Sequence, residues 1–294
     1  MSGAELRAAD LVALRGLAGA APRLPEGLGG LPGNFRARQK GQGQDVADIR
    51  AYVPGDDARA VDRNVTARTG TLHVRTHHAD RDRTLLLVAD FRPSMLWGVR
   101  RAFRSVAAAE ALALLGWRAV EAGGRVGGVA LTARGNIAVP ARGRTRAMLA
   151  VIGALVRAHD LALRAAADGL DDPPLDAALQ KVLRIAGRRG EICLASGFDT
   201  PGAGLDLALA ELADRGELRR IRIDDGLRGG LPAGHYRLAT PSGQAVGAVF
   251  SGAGDGPPAG PSDPLADPLA DPVIDPALPP ARALQILDMA HGRP

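Results

Sequence analysis

The chain reads as an α/β protein built on a doubly wound, mostly parallel sheet. Three observations predict this. "TLLLVAD" at residues 84–90 and "EICLAS" at 191–196 are continuous apolar runs, the signature of strands covered on both faces. Ala- and Leu-rich helical stretches separate the strand-like runs, so strand and helix alternate. Short strands joined through helices return parallel, because the crossover carries the chain back to the same end of the sheet.

The elements follow in order. Residues 5–20 predict a helix with Leu6, Leu11, Leu14 and Leu17 on one side. "PRLPEGLGGLPGN" ends it with Pro and Gly. Residues 34–80 form a polar, Arg/Asp-rich section in which "TLHVRTH" alternates like a half-buried strand. After the strand at 84–90, residues 99–122 predict a helix stopped by "AGG". "RVGGVAL" and "GNIAVP" form a strand pair around a tight turn, and "TRAMLAVIGALVRAH" a second helix. "PLDAALQKVLRIAG" is a third helix, with Pro at its start and Gly at its end. "EICLAS", the helix "LDLALAELADRG" and the strand "LRRIRID" complete the alternation, and "GHYRLATPSGQAVGAVF" predicts a hairpin. The Asp-Pro repeat "GPPAGPSDPLADPLADPVIDPALPP" forbids helix and sheet and predicts a disordered linker. "ARALQILDMAH" then carries an amphipathic pattern. Three parts result: an N-terminal helix and extension at 1–80, the α/β domain at 81–251, and a linker with a short C-terminal helix at 252–294.

Composition narrows the function. Aromatics are 3% of 294 residues, so the core rests on Leu, Val, Ile and Ala. The single cysteine, Cys193, permits no intrachain disulfide and sits in an apolar strand, which fits a buried thiol in a reducing compartment. No stretch reaches the ~18 uninterrupted apolar residues of a membrane helix, and the N-terminus reads as an amphipathic helix rather than a signal peptide. A cytoplasmic protein without a transmembrane segment is expected.

The net charge is +5, but the tail from Gly252 holds six Asp against two Arg, which leaves the body at +9. The basic residues are scattered along the sequence with no interleaved aromatics, so no nucleic-acid partner is expected. The only lysines, Lys40 and Lys181, follow glutamines, so the chain has no Gly-Lys-Ser/Thr nucleotide loop. Gly-x-Ser-x-Gly, His-Glu-x-x-His and paired cysteines are also absent from the sequence.

Two stretches carry a specific resemblance: "RAYVPGDDARAVDRNVTARTGTLHVR" at residues 50–75 and the strand-to-loop "LLLVADFRPSMLWG" after it. Arg50, Tyr52, Gly55, Asp56, Asp57, Arg59, Asp62, Ala67 and Arg68 resemble, in order, the signature of the bacterial domain-of-unknown-function family fifty-eight, with Arg63 at the family's usual Trp. The resemblance covers roughly residues 34–250. It implies a von Willebrand factor A-like domain with an N-terminal extension. It also implies partnership with a MoxR-type AAA+ ATPase acting on a client protein, and no enzymatic activity.

Domains of this type can hold a divalent cation with Asp-x-Ser-x-Ser, a Thr on a second loop and an Asp on a third. Asp90 and Ser94 stand at the first and last positions of that motif, but Arg92 replaces its first Ser. The second loop has Pro173 and Pro174 where Thr is expected, and the third reads Ser196-Gly197-Phe198 in place of Ser-Asp-Phe, with Asp199 close by. Most of the oxygen ligands that Mg²⁺ or Mn²⁺ require are lost, and Arg92 adds a fixed positive charge beside Asp90. The expectation is a vestigial site without metal or other cofactor, in which Arg92 pairs with Asp90. Asp90, Arg92, Ser94, Phe198 and Asp199 would line a partner-binding crevice at the carboxyl ends of the strands. A metal-dependent ligand-binding domain using Mg²⁺ or Mn²⁺ is the alternative.

Arg50, Asp56, Asp57, Arg59, Asp62 and Arg68 are expected to form a structural charge cluster, with Asp56/Asp57 as an acid/base pair the competing reading. His73, His77 and His78 lack a Cys or acidic companion and are expected at a solvated surface.

Overall fold

The computed structural model describes residues 3–20, 46–53, 61–77, 84–98, 100–187, 190–226, 234–239, 245–250 and 271–291. The chain divides into two units, one of residues 22–82 and one of residues 1–21 with 83–294.

In the smaller unit, β1 (Val46–Ala51) pairs antiparallel with β2 (His73–His77). The helix α2 (Arg63–Thr69) lies between them in sequence. Asp62 caps α2: its carboxylate accepts from the amides of Asn64 at 2.9 Å and Val65 at 3.0 Å. Gly70 ends the helix in the left-handed conformation, φ 72°, that glycine adopts without steric cost. Asp62, one of the residues of the expected charge cluster, serves as the N-terminal cap of α2. Asp56, Asp57 and Arg59, and the side chain of Arg50, lie outside the described residues, while Arg68 is an exposed residue of the last turn of α2. His73 Nδ1 lies 2.8 Å from the Thr71 carbonyl; the side chain of His77 and all of His78 lie outside the described residues.

The larger unit is built on a six-stranded sheet. Its strands are β3 (Thr84–Asp90), β4 (Arg125–Leu131), β5 (Ile137–Gly143), β6 (Gly190–Ser196), β7 (Gly216–Ile223) and β10 (Val273–Ile274). They lie in the order β10-β7-β6-β3-β4-β5, all parallel except β5 at one edge. β8 (Gly234–Ala239) and β9 (Ala245–Phe250) form the expected antiparallel hairpin.

Alternation along β3 sorts the core into two layers. Leu85, Leu87 and Ala89 face α1 (Ala8–Ala20), α3 (Arg104–Glu121) and α4 (Arg144–Ala167). Leu86 and Val88 face α5 (Leu175–Ile185) and α6 (Leu205–Arg215). Helices on both faces make the sheet doubly wound, as the continuous apolar runs required. α3 lies deepest, with residues 104–109 and 111–117 buried. Its Gly116 permits that depth, because a Cβ there would stand 2.5 Å from Met148 Sδ and 2.9 Å from Leu87 Cδ1.

Two domain boundaries differ from the sequence expectation. α1 belongs with the sheet and not with the extension. Leu11 is fully buried, and its carbonyl accepts from Trp117 Nε1 of α3 at 2.9 Å. Residues 271–291 of the tail also belong with the sheet: β10 extends it beyond β7, and α7 (Pro280–His291), the expected C-terminal helix, buries Ala283, Leu284 and Leu287 against the α1/α3 layer. The repeat's prolines do not prevent this, because Pro272 and Pro276 flank the two-residue strand and Pro279 precedes the helix. Pro280 begins α7, where a helix needs no backbone N–H. Residues 251–270, most of the expected linker, lie outside the described residues.

Candidate functional site

The carboxyl ends of β3 and β6 meet the α4–α5 connection, as expected of a parallel sheet. β3 delivers Asp90 to this point with no exposure, and a 3₁₀ turn over Pro93–Met95 follows at once. The bend folds Arg92 back over Asp90. Its amide donates to Asp90 Oδ1 at 3.0 Å, Nε donates to Oδ1 at 3.0 Å and Oδ2 at 3.2 Å, and Nη2 donates to Oδ2 at 2.9 Å. Ser196 Oγ, at the end of β6, donates to Asp90 Oδ2 at 2.6 Å.

The rest of the guanidinium reaches two other loops. Nη1 donates to the carbonyls of Pro173 at 2.6 Å and Thr200 at 3.2 Å, and Nη2 to the carbonyl of Asp199 at 2.8 Å. Asp172 Oδ2 lies 3.3 Å from Nη1, and Asp172 Oδ1 accepts from the Ser94 amide at 3.2 Å. Arg92 is fully buried, and its planar fork faces an acceptor in each direction. Burial by itself lowers the pKa of this guanidinium. The charge and hydrogen bonds of Asp90, with Asp172 and Asp199, outweigh burial and hold the pKa above the ordinary arginine value. Burial pushes the Asp172 carboxyl up, against the opposing pull of Arg92.

The third loop is held in an uncommon shape. Phe198 and Thr200 both adopt positive φ, 58° and 45°, conformations that cost side-chain-bearing residues about 1–3 kcal/mol each. Their surroundings hold them there. The Phe198 amide donates to Ser196 Oγ at 2.9 Å, and the Phe198 ring lies 5.5 Å from the Arg222 guanidinium carbon. Arg104 of α3 donates to the Asp199 carboxylate at 3.2 Å and to Asp225 at 2.9 Å.

The structure therefore brings all five expected crevice residues to one place but does not expose them as a contact face. Asp90 and Arg92 have no exposure and Phe198 has 6%, and only Ser94 and Asp199 of the five are partly exposed. Sequence reasoning missed Asp172, Ser196 as a donor to Asp90, and Arg104. The Asp171-Asp172 doublet before two prolines was the available signal for the first.

The donor set does not fit a divalent cation. Both Asp90 oxygens already accept from Arg92, one also from Ser196, and the guanidinium fills the space between the three loops with a permanent positive charge. Among the described residues no group of three or more His, Cys, Asp or Glu is arranged to hold a metal ion.

A doubly wound α/β domain with a mostly parallel sheet, closed at the carboxyl end of its central strand by a buried aspartate–arginine pair, is the class these features define. The chain belongs to the DUF58 family, described as "Protein of unknown function DUF58", whose model matches residues 48–250. Uncharacterized proteins of Mycobacterium bovis and of two Mycobacterium tuberculosis strains are each 34% identical over 114 residues, which is 39% of this chain. The match spans only 36% of each of those relatives. A von Willebrand factor type A structure from Catenulispora acidiphila aligns with 49% of this chain and 33% of its own, at 17% identity and a TM-score of 0.36, too thin a likeness to carry an inference.

Proposed function

We propose that this chain is a non-enzymatic protein-interaction module, the adaptor or partner of a MoxR-type AAA+ ATPase in the assembly or maturation of a client protein. One observation carries the non-enzymatic reading. Asp90 is spent on Arg92 and Ser196, and Arg92 is satisfied by Asp90 and by carbonyls of two further loops, while Ser94 Oγ and Asp172 Oδ2 beside them are buried without a hydrogen-bond partner among the described residues. The carboxylate at its centre, Asp90, is therefore not free to act as an acid, base or nucleophile. The ATPase partnership rests on what the family resemblance implies, and it assigns nucleotide hydrolysis to the partner, since this sequence holds no Gly-Lys-Ser/Thr loop. Action in the cytoplasm belongs to the same proposal. Among the described residues no helix is long and apolar enough to cross a membrane.

The test is direct binding of the purified chain, first stripped with EDTA and dialysed, to a purified MoxR-type ATPase kept in its own Mg²⁺-nucleotide buffer. A complex of equal affinity with stripped and unstripped chain is expected. No complex overturns the partnership, and binding that needs metal restored to this chain overturns the arginine-closed reading.

A further inference from the structure

The segment from Asp271 to His291 is attached in a different manner from the rest of the sheet layer. β10 contributes two residues, Val273 and Ile274, to the edge of β7. The amide of Arg222 donates to the Pro272 carbonyl and that of Asp224 to the Ile274 carbonyl, both at 3.0 Å. α7 then lays a narrow stripe, Ala283, Leu284 and Leu287, on the α1/α3 layer and leaves Met289 64% exposed. Arginines of the body hold both ends. Arg220 Nε pairs with Asp271 at 2.9 Å, and Arg118 pairs with Asp288 through both guanidinium nitrogens. Between them Arg101 Nε donates to the Pro276 carbonyl at 3.1 Å, while its other nitrogens hold Glu110 of α3. The whole segment lies outside the span matched by the family model.

We infer that the groove formed by α1, α3 and the edge of β7 is a docking site for an acid-flanked amphipathic helix, and that the chain's own residues 271–291 are its resident, displaceable occupant. The groove supplies what such a ligand needs. The edge of β7 pairs with a short extended lead-in, an apolar floor takes a one-sided helix, and Arg220 and Arg118 receive an acid at each end. A partner of this description competes with the tail for the same contacts. The inference is independent of the ATPase reading, because it concerns another face and needs no nucleotide.

Cys193 provides the readout. It is the only cysteine, is fully buried on β6, and lines a small cavity whose outer wall includes Pro272 and Leu287 of the segment. Release of the segment opens that cavity to a thiol reagent. The full chain is labelled with an aromatic disulfide at low and high salt and compared with the double variant Asp271→Asn/Asp288→Asn. Loss of two partly exposed ion pairs is expected to speed labelling by about tenfold, with an unchanged urea midpoint for the main transition. An excess of synthetic peptide 271–291 is expected to restore slow labelling in the double variant. If charge loss leaves labelling slow, Leu287→Asp is the second variant. The inference is overturned if either variant, still folded, labels only at the rate of global unfolding, if Leu287→Asp unfolds the whole chain, or if the peptide fails to slow a fast-labelling variant.

Discussion

Two arginine–aspartate contacts in this chain share their chemistry and differ in nearly everything else. Arg92–Asp90, at the head of the sheet, is fully buried on both sides at 2.9 Å. Arg118–Asp288, at the end of α7, leaves 24% and 33% of its side chains exposed. Water competes for the second pair and is excluded from the first. The buried pair stands only because every donor has an acceptor, so losing one partner strands the other in a medium that cannot solvate it. The exposed pair gives up little when broken, since water replaces each partner. The first contact therefore acts as a permanent fixture and the second as a fastening.

The largest effect tests that contrast at its buried end. Arg92→Ala leaves Asp90 charged, buried and without its main partner, and removes the donor shared by the Pro173, Asp199 and Thr200 carbonyls. A loss of about 3–5 kcal/mol is expected in urea titration. The double variant Arg92→Met/Asp90→Leu removes both charges and is expected to recover the part of that loss due to the stranded carboxylate, but not the part due to the three carbonyls left without a donor. A single variant within about 1 kcal/mol of wild type would break the comparison, since it would mean that water reaches the site.

Ser196→Ala tests the same site at smaller scale. It removes the 2.6 Å donor to Asp90 Oδ2 and the acceptor for the Phe198 amide, and is expected to cost about 1–3 kcal/mol. Because Phe198 is one of the residues at positive φ, loosening of the third loop should accompany that loss. Faster amide exchange at residues 198–200 than at β3 is the measurement that checks it.

These residues show where sequence reading succeeds and where it stops. Asp90 and Arg92 lie two positions apart at the end of an apolar run, so their pairing is legible in the order of the residues. The strands β3, β4 and β6 are readable for a related reason, since burial on both faces imposes continuous apolar character. The rest of the guanidinium's partners are hidden because they are backbone carbonyls of Pro173, Asp199 and Thr200, and a carbonyl leaves no trace in residue identity. β10 is hidden because two residues carry no periodicity, and only the edge of β7 makes them a strand. Asp62 looks like one charge among several until the start of α2 gives it amides to cap.

A third buried group sharpens the comparison because it has no countercharge in hydrogen-bond contact. His159 of α4 is fully buried, with Nδ1 3.3 Å from Ser105 Oγ and Nε2 2.9 Å from the Ala4 carbonyl. A carbonyl only accepts, so Nε2 carries the proton and Nδ1 accepts from Ser105. Burial lowers the pKa of this ring below its ordinary 6.5, against the smaller upward pulls of the Ala4 carbonyl and Asp160. Its stabilising contribution is complete above the unfolded value and is lost as pH falls through 6.5 toward the lower folded value. Urea stability is expected to decline between about pH 7.5 and pH 5, and His159→Gln, which can still donate to Ala4, should flatten that decline. An unchanged slope in the variant assigns the decline to other groups.

The smallest effect on global stability belongs to the fastening. Asp288→Asn removes the charge facing Arg118 while keeping the side-chain volume, and Leu284 and Leu287 still cover α3. The expected cost to the main unfolding transition is less than about 1 kcal/mol, shrinking further as salt screens the wild-type pair. The amides of α7 should nonetheless exchange faster than those of α3, because the helix can leave without unfolding the layer beneath it. If Asp288→Asn lowered stability as much as Arg92→Ala, burial would not be what separates the two contacts, and α7 would have to be counted as core.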